Sequence, residues 1–449
     1  GSAQSHDGTV VNYISVPGDV FTDLYGNLNM VSDPFIWSRD TYKPTIEITS
    51  TTAYSLSTAY NYLQSGDRTK DDSIELTFTA TENILGFTLN SVDWDGGQLT
   101  SASSSFADPV GQRKIFKGIF TPSSIDKAYT IKVDADKCTD DVGNYNLVTP
   151  QPFEWISDRT GPIITITAEN SSGATVDSNA ITNDDHIVLT FTASEDIYEF
   201  VIGDVTTDGA LVPYYASGFA YPIGQLLIYK AKFTPNGGDR TYTITVDSGK
   251  CMDSPGNLNV ASDPFIWHSD GVGPIMTITA TNVQGTVAFH PGYKTDDPYI
   301  LLTFTGNEPG YGFTKDHVDI SGNTGTISDF VGSSGSHIYT AKFTPDGSGN
   351  ATDGTVINTL KILAGKFTDS AGNYNPESAV FTWSRDITTP VLTVVSIKSN
   401  YTNDSRAKEG DIITLSILAS KTITAPTVTF KSGGRNFYST NTIITDTNR

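Results

Sequence analysis

Carboxylate side chains recur in this sequence at intervals of a whole domain. Four aspartates each stand four residues before a proline, and they lie 118, 112 and 116 residues apart: Asp40, Asp158, Asp270 and Asp386. Calcium takes roughly six to eight oxygen ligands, many of them carboxylates. We therefore predict that these aspartates bind Ca²⁺ where the loops of neighbouring domains converge. Three Asp-Asp pairs could add ligands: Asp71/Asp72, Asp184/Asp185 and Asp296/Asp297. The alternative is a set of solvated turn and strand-end residues.

A turn of the form Asp-x-x-Gly-Asn recurs four times. Its aspartates are Asp23, Asp140, Asp253 and Asp369. The Asp side chain caps such a turn, and Gly and Asn tolerate positive φ, so a structural role is the simpler interpretation. Calcium ligation stays open, although one Asp per turn supplies too few oxygens. A glutamate also recurs once per unit, which favours a structural role. Its positions are Glu82, Glu195 and Glu308.

The sequence contains no constellation suited to catalysis. The six histidines share no position in the repeat, and neither a Cys-x-x-Cys spacing nor a nucleophile elbow occurs. We predict that the chain is not an enzyme. The two cysteines, Cys138 and Cys251, lie one repeat apart, and a disulfide would need their Cα atoms within about 7 Å. We predict that both are buried, apolar thiols.

The elements that position these residues are strands. Apolar residues alternate with polar ones, as in Ile74-Glu-Leu-Thr-Phe78, and the segments are rich in Thr and β-branched residues. Several short strands in each unit of about 115 residues, with no helical stretch, are typical of a two-sheet sandwich. A Phe-x-Trp segment ends each unit. Its Trp is expected to pack in the core or between two units, and the alternative is that it forms an exposed platform on which a sugar stacks. We predict an all-β fold of tandem sandwiches in an elongated array.

We call the segments that begin at Asp40, Asp158, Asp270 and Asp386 the joints. They divide the chain into five parts. Residues 41–158, 159–270 and 271–386 are predicted to be whole domains. Residues 1–40 hold only the last strand hairpin of a unit, and residues 387–449 hold only the front strands of one.

The order of these motifs carries a family resemblance. In the first whole unit it runs Phe78-Thr-Ala-Thr-Glu82, Gly86-Phe-Thr88, Phe120-Thr-Pro122 and the Asp140 turn. It resembles the bacterial Ig-like domains that are repeated in large surface adhesins and biofilm proteins, and the resemblance covers nearly the whole chain. It implies Ig-like sandwiches, an extracellular or cell-surface location and the task of extending a surface fibre.

The charge balance limits the partners. Fifty acidic residues face 28 basic ones, and the formal net charge of −22 repels nucleic acids while favouring multivalent cations. No apolar stretch reaches the roughly 18–20 residues of a membrane helix, so we predict no membrane span. Glycans or cell-surface ligands are further candidate partners. Candidate N-glycosylation sites are Asn170, Asn350, Asn400 and Asn403.

The two end segments have complementary contents. Residues 7–12 match residues 353–358, so the first segment corresponds to the end of a unit. We predict that it completes residues 387–449 of a neighbouring molecule, which gives a head-to-tail filament of copies by strand complementation. The apolar residues that would meet are Ile14, Val16, Phe21, Phe35 and Trp37 on one side, and Leu415 and Ile417 on the other. The alternatives are a fragment of a calcium-stiffened adhesin stalk and a glycan-binding Ig-like array.

Overall fold

The structure, a computed structural model, describes most of the 449-residue chain. The described residues are 7–52, 62–216, 218–220, 222, 224–321, 325–346, 353–404, 406–424, 426–432 and 435–437. Asn350, one of the predicted glycosylation sites, lies outside them. The described helices are single 3-10 turns at Leu89–Ser91, Ile202–Asp204 and Lys315–His317. No helix in the described residues is long and apolar enough to cross a membrane.

The three whole domains repeat one order of strands. The first has β3 (Ile46–Thr52), β4 (Tyr62–Leu63), β5 (Arg68–Thr69), β6 (Ile74–Ala80), β7 (Asp93–Trp94), β8 (Gln98–Ser101), β9 (Ile115–Thr121), β10 (Lys127–Lys132) and β11 (Phe153–Ser157). The second has β12 (Ile164–Asn170), β13 (Thr175–Val176), β14 (Ala180–Thr182), β15 (Ile187–Ala193), β16 (Val205–Thr206), β17 (Ala210–Pro213), β18 (Ile228–Thr234), β19 (Arg240–Val246) and β20 (Phe265–Ser269). The third has β21 (Met276–Thr281), β22 (Ala288–Phe289), β23 (Tyr293–Thr295), β24 (Ile300–Gly310), β25 (Val318–Asp319), β26 (Gly325–Val331), β27 (Ser336–Pro345), β28 (Asp353–Ile362) and β29 (Phe381–Asp386).

Each domain folds these strands into two sheets. The larger sheets are ordered β4-β3-β6-β9-β8, β13-β12-β15-β18-β17 and β22-β21-β24-β27-β26. The smaller sheet is β5-β11-β10-β7 in the first domain and β23-β29-β28-β25 in the third, and it contains β20, β19 and β16 in the second. The all-β fold of tandem sandwiches is therefore confirmed. The domain boundaries stay a prediction.

Burial follows the alternation of the sequence. In β6, Ile74, Leu76 and Phe78 are fully buried, while the residues between them are not. The Phe-x-Trp tryptophan of each whole domain is also fully buried, and Trp155 stacks on Tyr129 with ring centroids 5.6 Å apart. This confirms core packing for Trp155, Trp267 and Trp383, and it removes them as sugar platforms. Cys138 and Cys251 are buried free thiols, as predicted.

One core position is filled in two ways. Cys138 and Ile84 belong to the same buried core cluster and flank the bridge that pairs Leu85 with Thr139, and Cys251 and Ile197 stand in the same relation in the second domain. In the third domain the corresponding residues are Phe367 and Gly310, which flank the bridge that pairs Tyr311 with Thr368. A Cβ atom on Gly310 would lie 3.0 Å from Cε2 of Phe367. The first two domains thus combine an isoleucine with a cysteine, and the third combines a glycine with a phenylalanine. The two combinations fill a similar side-chain volume, as a close-packed core requires.

The end segments contain partial sheets. Strands β1 (Asp7–Ile14) and β2 (Phe35–Asp40) form one pair, and their register and bulge match those of β28 with β29. After the third domain come β30 (Leu392–Ser399), β31 (Ile413–Ala419), β32 (Phe430–Ser432) and β33 (Arg435–Phe437), which form two further pairs. By compactness the chain divides into two units, Gly1–Ala180 with Asp184–Ser269, and Ile181–Asn183 with Asp270–Arg449.

Candidate cation site at the domain joints

The backbone N–H and carbonyl oxygen of the joint aspartate both make hydrogen bonds. Asp158 follows β11, and its N–H donates to the carbonyl oxygen of Thr69 over 2.9 Å. Its own carbonyl oxygen accepts a hydrogen bond from Nδ2 of Asn257 in the second domain, also over 2.9 Å. The carboxylate of Asp158 is therefore fixed where the first domain ends and the turn of the second begins.

The aspartate of the Asp-x-x-Gly-Asn turn has the capping role expected from the sequence. Oδ1 of Asp140 accepts the N–H groups of Val142 and Asn144 over 2.9 and 2.8 Å. Its Oδ2 accepts Nδ2 of Asn144 over 2.7 Å. The turns at Asp253 and Asp369 repeat the bonds from the asparagine. All three aspartates are almost fully buried.

The linker at two joints lies directly against this turn. A Cβ atom on Gly161 would be 1.9 Å from the carbonyl oxygen of Leu258, and one on Gly273 would be 2.1 Å from that of Tyr374. Any larger residue would force the two backbones apart. Glycine at these places lets the linker approach the turn closely.

The recurring glutamate lies at the end of the central strand of the larger sheet or just beyond it. Glu82 stands two residues after Ala80, the last residue of β6, which pairs with Ile46. Glu195 and Glu308 stand two residues after Ala193 and Gly306, which pair with the corresponding residues of β12 and β21. The same backbone position is thus used in every whole domain.

These three carboxylates meet at each of three joints. The groups are Asp40 with Glu82 and Asp140, Asp158 with Glu195 and Asp253, and Asp270 with Glu308 and Asp369. Within a group, one oxygen of each residue lies within 4.8 Å of the others. The predicted joint aspartates Asp40, Asp158 and Asp270 are therefore brought together with residues that the sequence analysis placed in structural roles.

The groups concentrate negative charge. Burial raises the pKa of Glu195, and repulsion by Asp158 and Asp253 raises it further. Glu82 has a raised pKa for the same reasons, with Asp40 and Asp140 as its neighbours. Burial also opposes ionisation of Asp140, but the hydrogen bonds from Asn144, Val142 and Gly143 together outweigh it and hold that pKa below its usual value. A cation would relieve the repulsion.

Two joints already carry a basic side chain. Nη1 of Arg68 lies 2.9 Å from Oδ2 of Asp158. At the fourth joint, Nζ of Lys421 lies 2.7 Å from Oδ1 of Asp386, which was also predicted as a metal ligand. Asp386 belongs to none of the acidic groups found among the described residues.

The Asp-Asp pairs lie outside the groups as well. Asp71 and Asp297 each accept a hydrogen bond from a threonine hydroxyl, of Thr69 and Thr295, over 2.6 Å. Asp72 forms an ion pair with Arg159 over 2.7 Å. Asp71, Asp72 and Asp297 thus have hydrogen-bond or ion-pair partners of their own just ahead of strands β6 and β24.

The recurring glutamate is the residue that sequence reasoning missed. Its signal was present, because Glu82, Glu195 and Glu308 occur in every whole domain and the corresponding residue of the partial domain is Lys421. What the sequence did not give was the distance between the glutamate and the turn aspartate, which are 58 to 61 residues apart in the chain.

The apolar residues predicted for assembly are exposed on the hairpin. Trp37 is 42% exposed and Phe35 69%, whereas the counterparts in the whole domains are buried. Ile14, Val16 and Phe21 are exposed as well, and Leu415 and Ile417 are partly buried.

Among the predicted glycosylation sites, Oδ1 of Asn400 accepts a hydrogen bond from the N–H of Ile412, and Oδ1 of Asn170 accepts one from the N–H of Ser172. Asn403 is exposed.

Comparison with known proteins agrees with the fold. Residues 158–265 and 280–384 each match a family model described as bacterial Ig-like domain. Residues 158–265 and 280–384 therefore correspond to bacterial Ig-like domains, and the resemblance drawn from the sequence is confirmed. Two matches to one family model agree with the repetition of one kind of domain along the chain.

No curated protein matches the sequence. Among solved structures, the crystal structure of the S-layer protein rSbsC(31-844) is similar, with 12% identity and a TM-score of 0.15. The match covers 84% of this chain and 63% of that one, so the chain spans less than two thirds of that structure.

Proposed function

We propose that this chain is an extracellular or cell-surface structural protein whose domain joints are stiffened by bound calcium. The observation that supports the proposal is the group of three carboxylates that recurs at three joints. Each group takes one aspartate from the end of one domain and two residues from the next. An ion in that position ties consecutive domains together.

Calcium suits these groups better than other cations. The groups contain carboxylates alone, which are ligands for hard cations, whereas zinc prefers nitrogen and sulfur. Two oxygens that share an ion at about 2.4 Å lie at most about 4.8 Å apart, which fits the spacing found. Asp40 and Glu82 also border an open cleft, where water can complete the coordination. Magnesium demands a more regular octahedron.

Calcium titration of the full chain tests this proposal. We expect three ions per chain, and a higher melting temperature with millimolar Ca²⁺ than with EDTA, because an ion that binds only the folded joint stabilises it. The triple variant Glu82→Gln, Glu195→Gln and Glu308→Gln should lose both effects. The exposed Glu154 provides the control, and Glu154→Gln should retain them. Superimposable melting curves of the wild type with and without Ca²⁺ would contradict the proposal.

We further propose that copies assemble head to tail into a filament by strand complementation. The hairpin of residues 7–40 contains the counterparts of β28 and β29, and residues 387–437 contain those of β21 and β24. Each partial sheet exposes apolar residues whose counterparts are buried: Ile413 is 46% exposed, whereas Ile74 is fully buried. Burying one large apolar side chain contributes about 1.5–3 kcal/mol.

A peptide of residues 1–40 added to the full chain tests assembly. If a second copy covers the partial sheet after Asp386, the peptide should compete for it and shorten the filaments seen by electron microscopy. The same peptide with Trp37→Ala is the control and should compete poorly. A chain that stays monomeric at high concentration would contradict the filament, and would favour a longer chain whose adjacent domains cover both faces.

A further inference from the structure

The fourth joint differs from the other three at the glutamate position. Strand pairing fixes the correspondence, because Leu392 pairs with Ala419 as Ile46 pairs with Ala80. The residue two positions after Ala80 is Glu82, and the residue two positions after Ala419 is Lys421. A positive side chain thus stands where each whole domain places a negative one.

Lys421 also makes the contacts that a joint cation would make. Its Nζ lies 2.7 Å from Oδ1 of Asp386, and it donates to Oγ1 of Thr388 over 2.8 Å. The hydroxyl of Thr388 donates to the same Oδ1 over 2.7 Å. The hydrogen bond from Lys421 is the main reason why the pKa of Asp386 is lowered to about 2, so this carboxylate is ionised at neutral pH.

We propose that Lys421 is a built-in cation that replaces the calcium ion at the joint after the third domain, so that this joint closes without metal. The inference rests on the proposed calcium sites at the other three joints. A lysine ammonium carries one charge against the two of calcium, but its covalent attachment means that neither dilution nor a chelator removes it.

The division between three metal-binding joints and one metal-free joint can be seen in the wild-type chain. Hydrogen exchange of the full chain, measured in EDTA and in millimolar Ca²⁺, should show slower exchange with calcium around Asp140, Asp253 and Asp369. The segment 386–424 should exchange at the same rate in both conditions. Calcium-dependent protection of that segment equal to the protection at the other joints would overturn the proposal.

Exchange of the two residue types provides the second test. Glu82→Lys should reduce the calcium stoichiometry from three to two, and in EDTA it should melt about 4 °C or more above Glu82→Gln, because the ammonium neutralises Asp40 and Asp140. At the fourth joint, Lys421→Met should speed the exchange of residues 386–424 in EDTA. Lys421→Glu should do the same and make the exchange sensitive to calcium.

The outcomes separate the two proposals. If the wild-type chain binds no calcium, the proposed joint sites fail, but the EDTA measurements still report on the lysine. A Glu82→Lys chain that melts below Glu82→Gln in EDTA, or a Lys421→Met chain with unchanged exchange, would overturn the role of Lys421 even if three calcium ions bind.

Discussion

Asn257 donates a hydrogen bond from Nδ2 to the carbonyl oxygen of Asp158, over 2.9 Å, and thereby joins the turn of one domain to the last residue of the domain before it. The same amide group donates to Oδ2 of Asp253 over 2.8 Å. One side chain thus orients two members of the carboxylate group. Asn373 repeats the arrangement with Asp270 and Asp369.

Replacement of this asparagine should loosen the joint. Asn257→Ala removes both bonds and leaves a buried carboxylate with one donor fewer, at a cost of about 1–3 kcal/mol. We expect faster proteolysis between residues 158 and 163 and weaker calcium binding at that joint. At the first joint the corresponding bond, from Asn144 to Asp40, is longer at 3.3 Å. Asn144→Ala is therefore the matched comparison, and an equal or larger effect there would contradict the argument.

The raised pKa of Glu195 predicts the pH dependence of the metal-free chain. Because burial and the neighbouring aspartates raise this pKa above 4.5, the folded chain holds the proton more firmly than the unfolded chain does. In EDTA, the contribution of Glu195 to stability should then fall as the pH rises from about 4.5 through the pKa of the folded chain. Glu195→Gln should flatten this dependence and raise the melting temperature at pH 7. Parallel pH profiles of the two chains, measured by thermal unfolding, would refute the prediction.

Arg68 should weaken calcium binding at the second joint. Its guanidinium lies 2.9 Å from a carboxylate oxygen of Asp158, so an incoming ion must compete with it. Arg68→Met should raise the calcium affinity of that joint up to about fivefold, which corresponds to the roughly 1 kcal/mol of a partly exposed ion pair. In EDTA the variant should be less stable, since Asp158 loses its partner. Titration calorimetry measures the affinity and thermal unfolding in EDTA measures the stability, and Arg240→Met, which breaks the pair with Asp208, is the control.

Two tryptophans at corresponding positions should respond differently to truncation. Trp267 is fully buried, and Trp267→Ala should destabilise the second domain by about 3–5 kcal/mol. Trp37 is 42% exposed, so Trp37→Ala should leave the melting of the three whole domains unchanged while it lowers filament formation. Thermal unfolding and sedimentation velocity separate these effects. Loss of domain stability in Trp37→Ala without loss of assembly would argue against complementation.

The Gly310–Phe367 pair predicts non-additive mutations. Phe367→Cys leaves a cavity, and Gly310→Ile introduces a side chain whose Cβ atom starts only 3.0 Å from Phe367. Together they recreate the combination of the first two domains, so the double variant should be more stable than the sum of the single changes predicts, by about 1–2 kcal/mol. Ile84→Gly with Cys138→Phe is the reciprocal cycle in the first domain. Simple additivity in both cycles would contradict compensation.

The same position bears on assembly. Ile423 follows Lys421 by two residues, as Ile197 follows Glu195, so the partial domain carries the isoleucine that elsewhere accompanies a cysteine. In the hairpin of residues 7–40, the position of that cysteine is occupied by Phe21, which is bulkier than cysteine. Phe21→Cys should therefore tighten the complementation and increase filament length.

The sequence predicted the fold because the signal for it is local. Alternation along Ile74–Phe78 and the turn residues around Asp140 specify strands and turns from neighbours in the chain. The cation site is different, since Asp40, Glu82 and Asp140 meet only after the sheets have formed. Recurrence identified each residue, but no spacing in the chain reveals which recurrent residues share a site. For the same reason the ion pair of Asp386 with Lys421 was not expected.

The hairpins 7–40 and 353–386 have the same strand register, so they can compete for the same place in the third domain during folding. Both offer an apolar edge of the same shape, with Ile14 in the place of Leu360 and Phe21 in the place of Phe367. Either hairpin could therefore provide the last two strands of the third domain, and the hairpin of residues 7–40 is synthesised before the domain's own. Its own hairpin begins at Asp353, close in the chain to Pro345 at the end of β27, and the lower entropy cost of closing a short connection favours it. Lengthening that connection would remove the advantage, and strand exchange between domains would then become the characteristic misfolding of this chain.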